Sequence, residues 1–137
     1  MMNIDHVVLW VTDPLGSLRF YCDLLGMTAV RAEEYEAGKA PFPSARINHY
    51  SIIDLMATSM LGPAQNMTGG SAGGHPLNHV CLNMAASEYE KLTRTLAEAG
   101  IEMTPGPASS FGAQGYTPNS CYLKDPDNNI VELRYYD

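Results

Sequence analysis

The hexapeptide Ile4-Asp5-His6-Val7-Val8-Leu9 returns 73 positions later as Leu77-Asn78-His79-Val80-Cys81-Leu82. Each copy holds an apolar residue, a small polar one, a histidine and an apolar run. An amphipathic stretch follows each copy, Pro14 to Leu25 before Gly26 and Ala86 to Ala99 before Gly100, now 74 positions apart. The copies also end alike. Ile52-Ile53-Asp54-Leu55 matches Ile130-Val131-Glu132-Leu133 at an offset of 78. Alignable ends with a slowly growing offset describe one unit present twice, with loops of unequal length. The units span 4–61 and 77–137. Modules this small are not stable alone, so the 137 residues are expected to form one domain, 1–137, fused around a shared core.

Periodicity fills in the unit. Residues 4–11 are rich in Val and Ile, as a strand requires. Asp13 and Pro14 then open a helix as N-cap and first helical residue. Leu15, Leu18, Cys22 and Leu25 supply its expected buried face, and Gly26 ends it. Extended runs follow near 27–33, 44–50 and 51–57. The second copy repeats the order: strand 77–84, helix 86–99 with Tyr89, Leu92, Leu96 and Ala99 inward, then strands near 101–104, 119–124 and 129–136. Asp125 to Asn129 is a turn between the last two. The expected class is α+β, two βαβββ modules whose mixed sheets curl into a cup. Two segments stand outside the pattern. The Gly-rich stretch 62–76 is the expected linker. Residues 105–119, with three Gly and three Pro, suit a lid or binding loop.

The repeat singles out four ionisable residues. His6 is the partner of His79, and Asp54 of Glu132. Strand alternation puts His6 with Val8 and Trp10, His79 with Cys81 and Asn83, Asp54 with Ile52 and Met56, and Glu132 with Ile130 and Arg134. The opposite faces, such as Val7, Leu9 and Val11, are apolar and suit packing under the helices. All four ionisable residues thus turn away from the helices. Burying an unpaired carboxylate costs several kcal/mol, and a divalent cation offsets that directly. His6, His79 and Glu132 are therefore candidate metal ligands. His49 and His75 lack repeat support and are expected at the surface, as are Arg134 and Lys124.

Composition narrows the partners. Eight Lys+Arg against fifteen Asp+Glu leave a net charge of −7, which excludes the basic stripe of a nucleic-acid binder. No apolar run reaches the ~18 residues of a membrane span. The first residues lack the charge and cleavage pattern of a signal peptide. Cys22, Cys81 and Cys121 are odd in number and widely spaced, which suits buried thiols in a reducing cytoplasm.

The pieces "IDHVVLWVTD", "SLRFYCDLLGM", "LNHVCLN" and "SCYLKDPDNNIVEL" resemble the vicinal oxygen chelate superfamily. It includes glyoxalase I, fosfomycin-resistance transferases, extradiol dioxygenases, methylmalonyl-CoA epimerase and bleomycin-resistance proteins. The last piece is similar to the family's closing hairpin, S-x-Y-x-x-D-P-D-G-N-x-x-E. By this resemblance His6, His79 and Glu132 match the three metal positions. Asp54 matches a fourth ligand of glyoxalase I, a Glu that also serves as base. Asp is shorter by one methylene, so Asp54 is placed as base or as a ligand through water. Trp10 stands where bacterial glyoxalase I has an Arg that helps hold glutathione, which counts against that substrate.

The resemblance implies a metal-dependent lyase or isomerase acting on a small oxygenated metabolite through a metal-stabilised enediolate. Asp54 or Glu132 is the candidate catalytic base. Trp10 and Met56 would give the substrate an apolar wall, and Asn83 and Tyr122 polar contacts. Mixed N/O ligands suit Ni, Co, Mn, Zn or Fe alike. Two rivals share the ligand set or the cup: a non-haem Fe(II) extradiol-type dioxygenase, and a metal-free drug-binding protein of bleomycin-resistance type. Open sheet edges suggest a homodimer, and a cytoplasmic location is expected.

Overall fold

The computed structural model describes residues 4, 6–61, 77, 79–112 and 114–137, with the side chains of residues 6, 110–112 and 115 outside that description. The chain divides into two compact units, Met1–His75 and Pro76–Asp137. The expected linker 62–76, including His75, lies outside the described residues.

In the first unit, β1 (His6–Val11) leads into α1 (Pro14–Arg19). Three strands follow: β2 (Thr28–Val30), β3 (Ser44–Arg46) and β4 (Ile52–Ala57). The sheet order is β1-β4-β3-β2, with β1 and β4 parallel and the other pairs antiparallel. The second unit holds β5 (Val80–Asn83), α3 (Ala86–Glu98), β6 (Thr104–Pro105), β9 (Ser120–Lys124) and β10 (Ile130–Arg134). Its sheet order is β5-β10-β9-β6, again with one parallel pair, β5 and β10. A parallel pair needs a long crossover, and here the helix and the remaining strands supply it.

The repeat extends to strand register. Val8 pairs with Asp54 in the first unit, and Cys81 pairs with Glu132 in the second. On the other side of the acid, Ser44 pairs with Asp54 and Tyr122 with Glu132. Each acid therefore occupies the equivalent node of its own sheet. The apolar faces behave as the alternation requires: Leu9, Val11, Ile53, Leu55, Val131 and Leu133 are buried, each stabilising by about 1.5–3 kcal/mol. α1 packs on β4, and Tyr89 of α3 reaches Cys121 on that face of the second sheet.

Several boundaries differ from expectation. Asp13 caps α1 as expected, its Oδ1 accepting from the Leu15 N–H at 3.1 Å. The buried residues of that helix and the turn after it, however, are Pro14, Ser17, Leu18, Phe20 and Tyr21. After Arg19 the helix widens into a π-type turn, Phe20–Leu24, in which the Leu25 N–H donates to the Phe20 carbonyl at 3.2 Å. Cys22 and Leu25 are half-buried. Strand β2 stops at Val30, and a short helix α2 (Ala32–Glu36) takes its place. Ala99 is exposed, one turn beyond the last buried residue, Leu96. Cys81 is exposed rather than buried.

The stretch 105–119 is not a structureless loop. It folds as a hairpin, β7 (Ser110–Gly112) against β8 (Gly115–Thr117). Its exit is fastened to the C-terminal tail, where Thr117 Oγ1 donates to the Tyr135 carbonyl at 2.9 Å. The closing turn matches its sequence signal. Asp125 Oδ1 accepts from the N–H groups of Asp127 at 2.9 Å and Asn129 at 2.8 Å. Asn128 takes φ +64, the position that the resembling pattern gives to Gly and that Asn tolerates.

Candidate functional site

In the second unit the site is built around Glu132, 1% exposed. Strand alternation sends its side chain away from Val131 and Leu133, to the face that carries Tyr122, Cys81 and Arg134. Glu132 Oε1 accepts from Arg134 Nε at 3.1 Å and from Nη2 at 2.5 Å. Glu132 Oε2 faces His79 Nε2 at 3.1 Å. Arg134 is itself 3% exposed, and its Nη1 donates to the Tyr136 hydroxyl at 3.2 Å. Burial works against the guanidinium charge, but the bonds to Glu132 and Tyr136 outweigh it and raise its pKa above the ordinary arginine value.

Arg134 corrects the expectation of solvated surface; Lys124, by contrast, is exposed. It also corrects an argument. The buried charge of Glu132 is met by a guanidinium, so burial alone does not call for a divalent cation. The case for a metal rests on the other carboxylate oxygen. Ligand atoms bonded to one cation at roughly 2.0–2.2 Å sit about 3.0–3.5 Å apart when adjacent on it, from octahedral to tetrahedral geometry. The 3.1 Å between His79 Nε2 and Glu132 Oε2 is an ion-pair distance that also falls in that range. Arg134 then plays the part that hydrogen-bond donors take behind a ligating carboxylate. The residues fit the group. Among the described residues no set of three or more His, Cys, Asp or Glu gathers as a metal cluster, and the His6 side chain lies outside them.

Tyr122 stands edge-on to His79, ring centroids 5.7 Å apart. Burial, then the charge of Glu132, pushes its hydroxyl above the ordinary tyrosine value. Crowding by neighbouring atoms and then the charge of Glu132 push the Cys81 thiol up to about 11, although part of the residue meets solvent. Asn83 is exposed and pairs in register with Arg134. Tyr122, Thr104, Ile101, Lys124 and Ile130 border a cleft of about 520 Å³, a size that suits a small metabolite.

In the first unit the equivalent node is Asp54, also buried. Ser44 Oγ donates to Asp54 Oδ1 at 2.6 Å. A neutral hydroxyl thus serves Asp54 where a guanidinium serves Glu132. Repeat alignment explains the difference: Met56 occupies the first-unit position equivalent to Arg134. Trp10 and Met56 are half-buried neighbours in register, as an apolar wall requires. His6 lies in β1 opposite Ile52.

The structure therefore joins His79, Glu132 and Tyr122 in the second unit, and Trp10 with Met56 in the first. Sequence reasoning missed Ser44, Arg134 and Tyr136. Arg134 carried a signal, since a residue two along a strand from Glu132 shares its face.

The family model for this fold's relatives matches residues 3–133. The chain belongs to the Glyoxalase/Bleomycin resistance protein/Dioxygenase superfamily. The virulence protein STM3117 of Salmonella typhimurium is 31% identical over 134 residues, covering 98% of this chain and 84% of that protein. Glyoxalase I of Saccharomyces cerevisiae is 24% identical over 143 residues, covering 96% of this chain and 42% of that one. The integron cassette protein VCH_CASS1 from the mobile metagenome of V. cholerae has a similar structure, TM-score 0.72 at 25% identity, over 100% of this chain and 97% of that one. The α+β fold expected from the repeat, and the glyoxalase type implied by the resemblance, are thereby shown. No helix among the described residues is long and apolar enough to cross a membrane.

Proposed function

We propose that this superfamily member is a metal-dependent lyase or isomerase of glyoxalase I type that acts on a small oxygenated metabolite. The observation that carries this reading is the 3.1 Å approach of His79 Nε2 to Glu132 Oε2. His79 and Glu132 would hold a divalent ion, Ni, Co, Mn, Zn or Fe, with His6 as the third ligand by repeat equivalence. Bound there, the ion would act as a Lewis acid for charge developing on a substrate oxygen.

The chain's own residues have distinct tasks in this reading. Both oxygens of Glu132 are engaged, one by Arg134 and one by His79, which makes it a ligand rather than a base. Asp54, held only by a neutral hydroxyl among the described residues, is the better proton acceptor. Its proton would come from the substrate carbon next to the chelating oxygens. Trp10 and Met56 shelter the reacting region from water, and Asn83 and Tyr122 orient the substrate's polar groups. The strands that end each sheet, β1 and β2 in one and β5 and β6 in the other, favour a homodimer, in the cytoplasm.

The test is turnover of 2-oxoaldehydes such as methylglyoxal and phenylglyoxal, alone and with thiols. Activity that disappears with a chelator and returns with one of these ions supports the reading. Activity indifferent to chelation removes it.

A further inference from the structure

One relay of contacts leaves the candidate site without being used by it. Glu132, Arg134 and Tyr136 alternate along one face of the chain, β10 and the first residues beyond it. The Tyr136 hydroxyl accepts from Arg134 Nη1 at 3.2 Å and from the backbone N–H of Gln114, at the turn of the β7–β8 hairpin, at 3.3 Å. A phenolic oxygen has capacity for both donors at once. Arg134 spends its Nε and Nη2 edge on Glu132 Oε1 and its Nη1 on Tyr136. A guanidinium is a planar, rigid fork, so these bonds fix one another's directions.

We propose that Tyr136 is a positioning residue that couples the β7–β8 hairpin to Glu132 through Arg134. This rests on the reading of Glu132 as a metal ligand. Thr117 Oγ1, donating to the Tyr135 carbonyl, holds the hairpin's exit. The Tyr136 contact connects the hairpin turn to the buried ion pair. With Tyr136 in place, Arg134 holds Glu132 Oε1 and leaves Oε2 toward His79. Without it, Arg134 Nη1 loses this bond, and Arg134 gains freedom to turn away from that geometry. Coupling of this kind is reciprocal: order in the hairpin favours the ligand geometry, and an ion at His79 and Glu132 favours order in the hairpin.

The test compares Tyr136→Phe, Arg134→Lys and the unaltered chain by amide hydrogen exchange, with α3 as the reference for global stability. Arg134→Lys leaves the Tyr136 hydroxyl and its contact with Gln114 in place, so this variant tests the relay. Relative to α3, exchange at Gln114 should rise about tenfold or more in both variants. Cobalt titration should show affinity lower by about tenfold in Tyr136→Phe, the usual scale for residues behind a ligand. Added Co2+ should slow Gln114 exchange in the unaltered chain only. Unchanged Gln114 exchange in Arg134→Lys overturns the coupling, whether or not the protein binds cobalt. Faster exchange in Tyr136→Phe with unaltered cobalt affinity also overturns it. Failure of the unaltered chain to bind Co2+ ends the metal reading, and the Arg134→Lys exchange alone then decides the coupling.

Discussion

Arg134 grips one oxygen of Glu132 with two nitrogens, Nε at 3.1 Å and Nη2 at 2.5 Å, while both side chains are almost sealed from solvent. Removing one member of such a pair strands a buried charge. Arg134→Met should therefore destabilise the fold by about 3–5 kcal/mol, measured by urea unfolding. An added divalent ion should restore part of that loss, since it can meet the carboxylate in place of the guanidinium. Unfolding as resistant as that of the unaltered chain would contradict the pairing.

Asp54 and Glu132 occupy equivalent nodes but differ in partner, Ser44 against Arg134. Asp54→Asn should leave metal content intact and lower turnover by about 10²-fold or more, the scale of a lost general base. Ser44→Ala should cost about 1–3 kcal/mol of stability, the penalty for an unsatisfied buried acceptor. Unchanged turnover in Asp54→Asn would end its role as base.

The Cys81 thiol is pushed up to about 11 by the crowding of neighbouring atoms, which strips it of water, and then by Glu132. A raised thiol pKa means less thiolate at a given pH. Labelling by a disulfide reagent should therefore be slow at pH 8 and accelerate as pH approaches 11. Glu132→Gln removes the neighbouring negative charge, lowers the thiol pKa and should speed labelling at pH 8. Equal rates in the two proteins would show that Cys81 does not sense Glu132.

Gly106 lies against Ser120. A Cβ on Gly106 would fall 1.9 Å from Ser120 Oγ and 3.2 Å from its Cβ. The same Oγ is buried and has no hydrogen-bond partner among the described residues. Gly106→Ala should destabilise by about 1–3 kcal/mol through overpacking. Ser120→Ala should be nearly neutral alone and should recover most of the loss when combined with it. Additive losses in the double variant would contradict this.

The fold was legible because the repeat constrains register as well as element order. An offset of 73 for β1 and 78 for β4 already implies that Val8–Asp54 and Cys81–Glu132 are the same pair. The π-type turn after Arg19 was not legible, because helical spacing assumes a constant number of residues per turn. The hairpin hid behind Gly and Pro, which mark turns without telling a loop from two short strands joined by one. At the site, histidines and acids announce themselves by type, so His79 and Glu132 stood out. Arg134 did not, because a charged residue near a chain end reads as solvated until its partner is known. Ser44 and Tyr136 act through single hydroxyls, which leave no pattern in a sequence.

The central claim is that His79 and Glu132 hold a divalent ion. Its most direct test is the metal content of protein purified without chelators, stripped and then offered Ni, Co, Mn, Zn or Fe. The account predicts close to one tightly held ion per chain, lost in His79→Ala. Less than about 0.2 ion per chain, with no rebinding of any of the five, would contradict it.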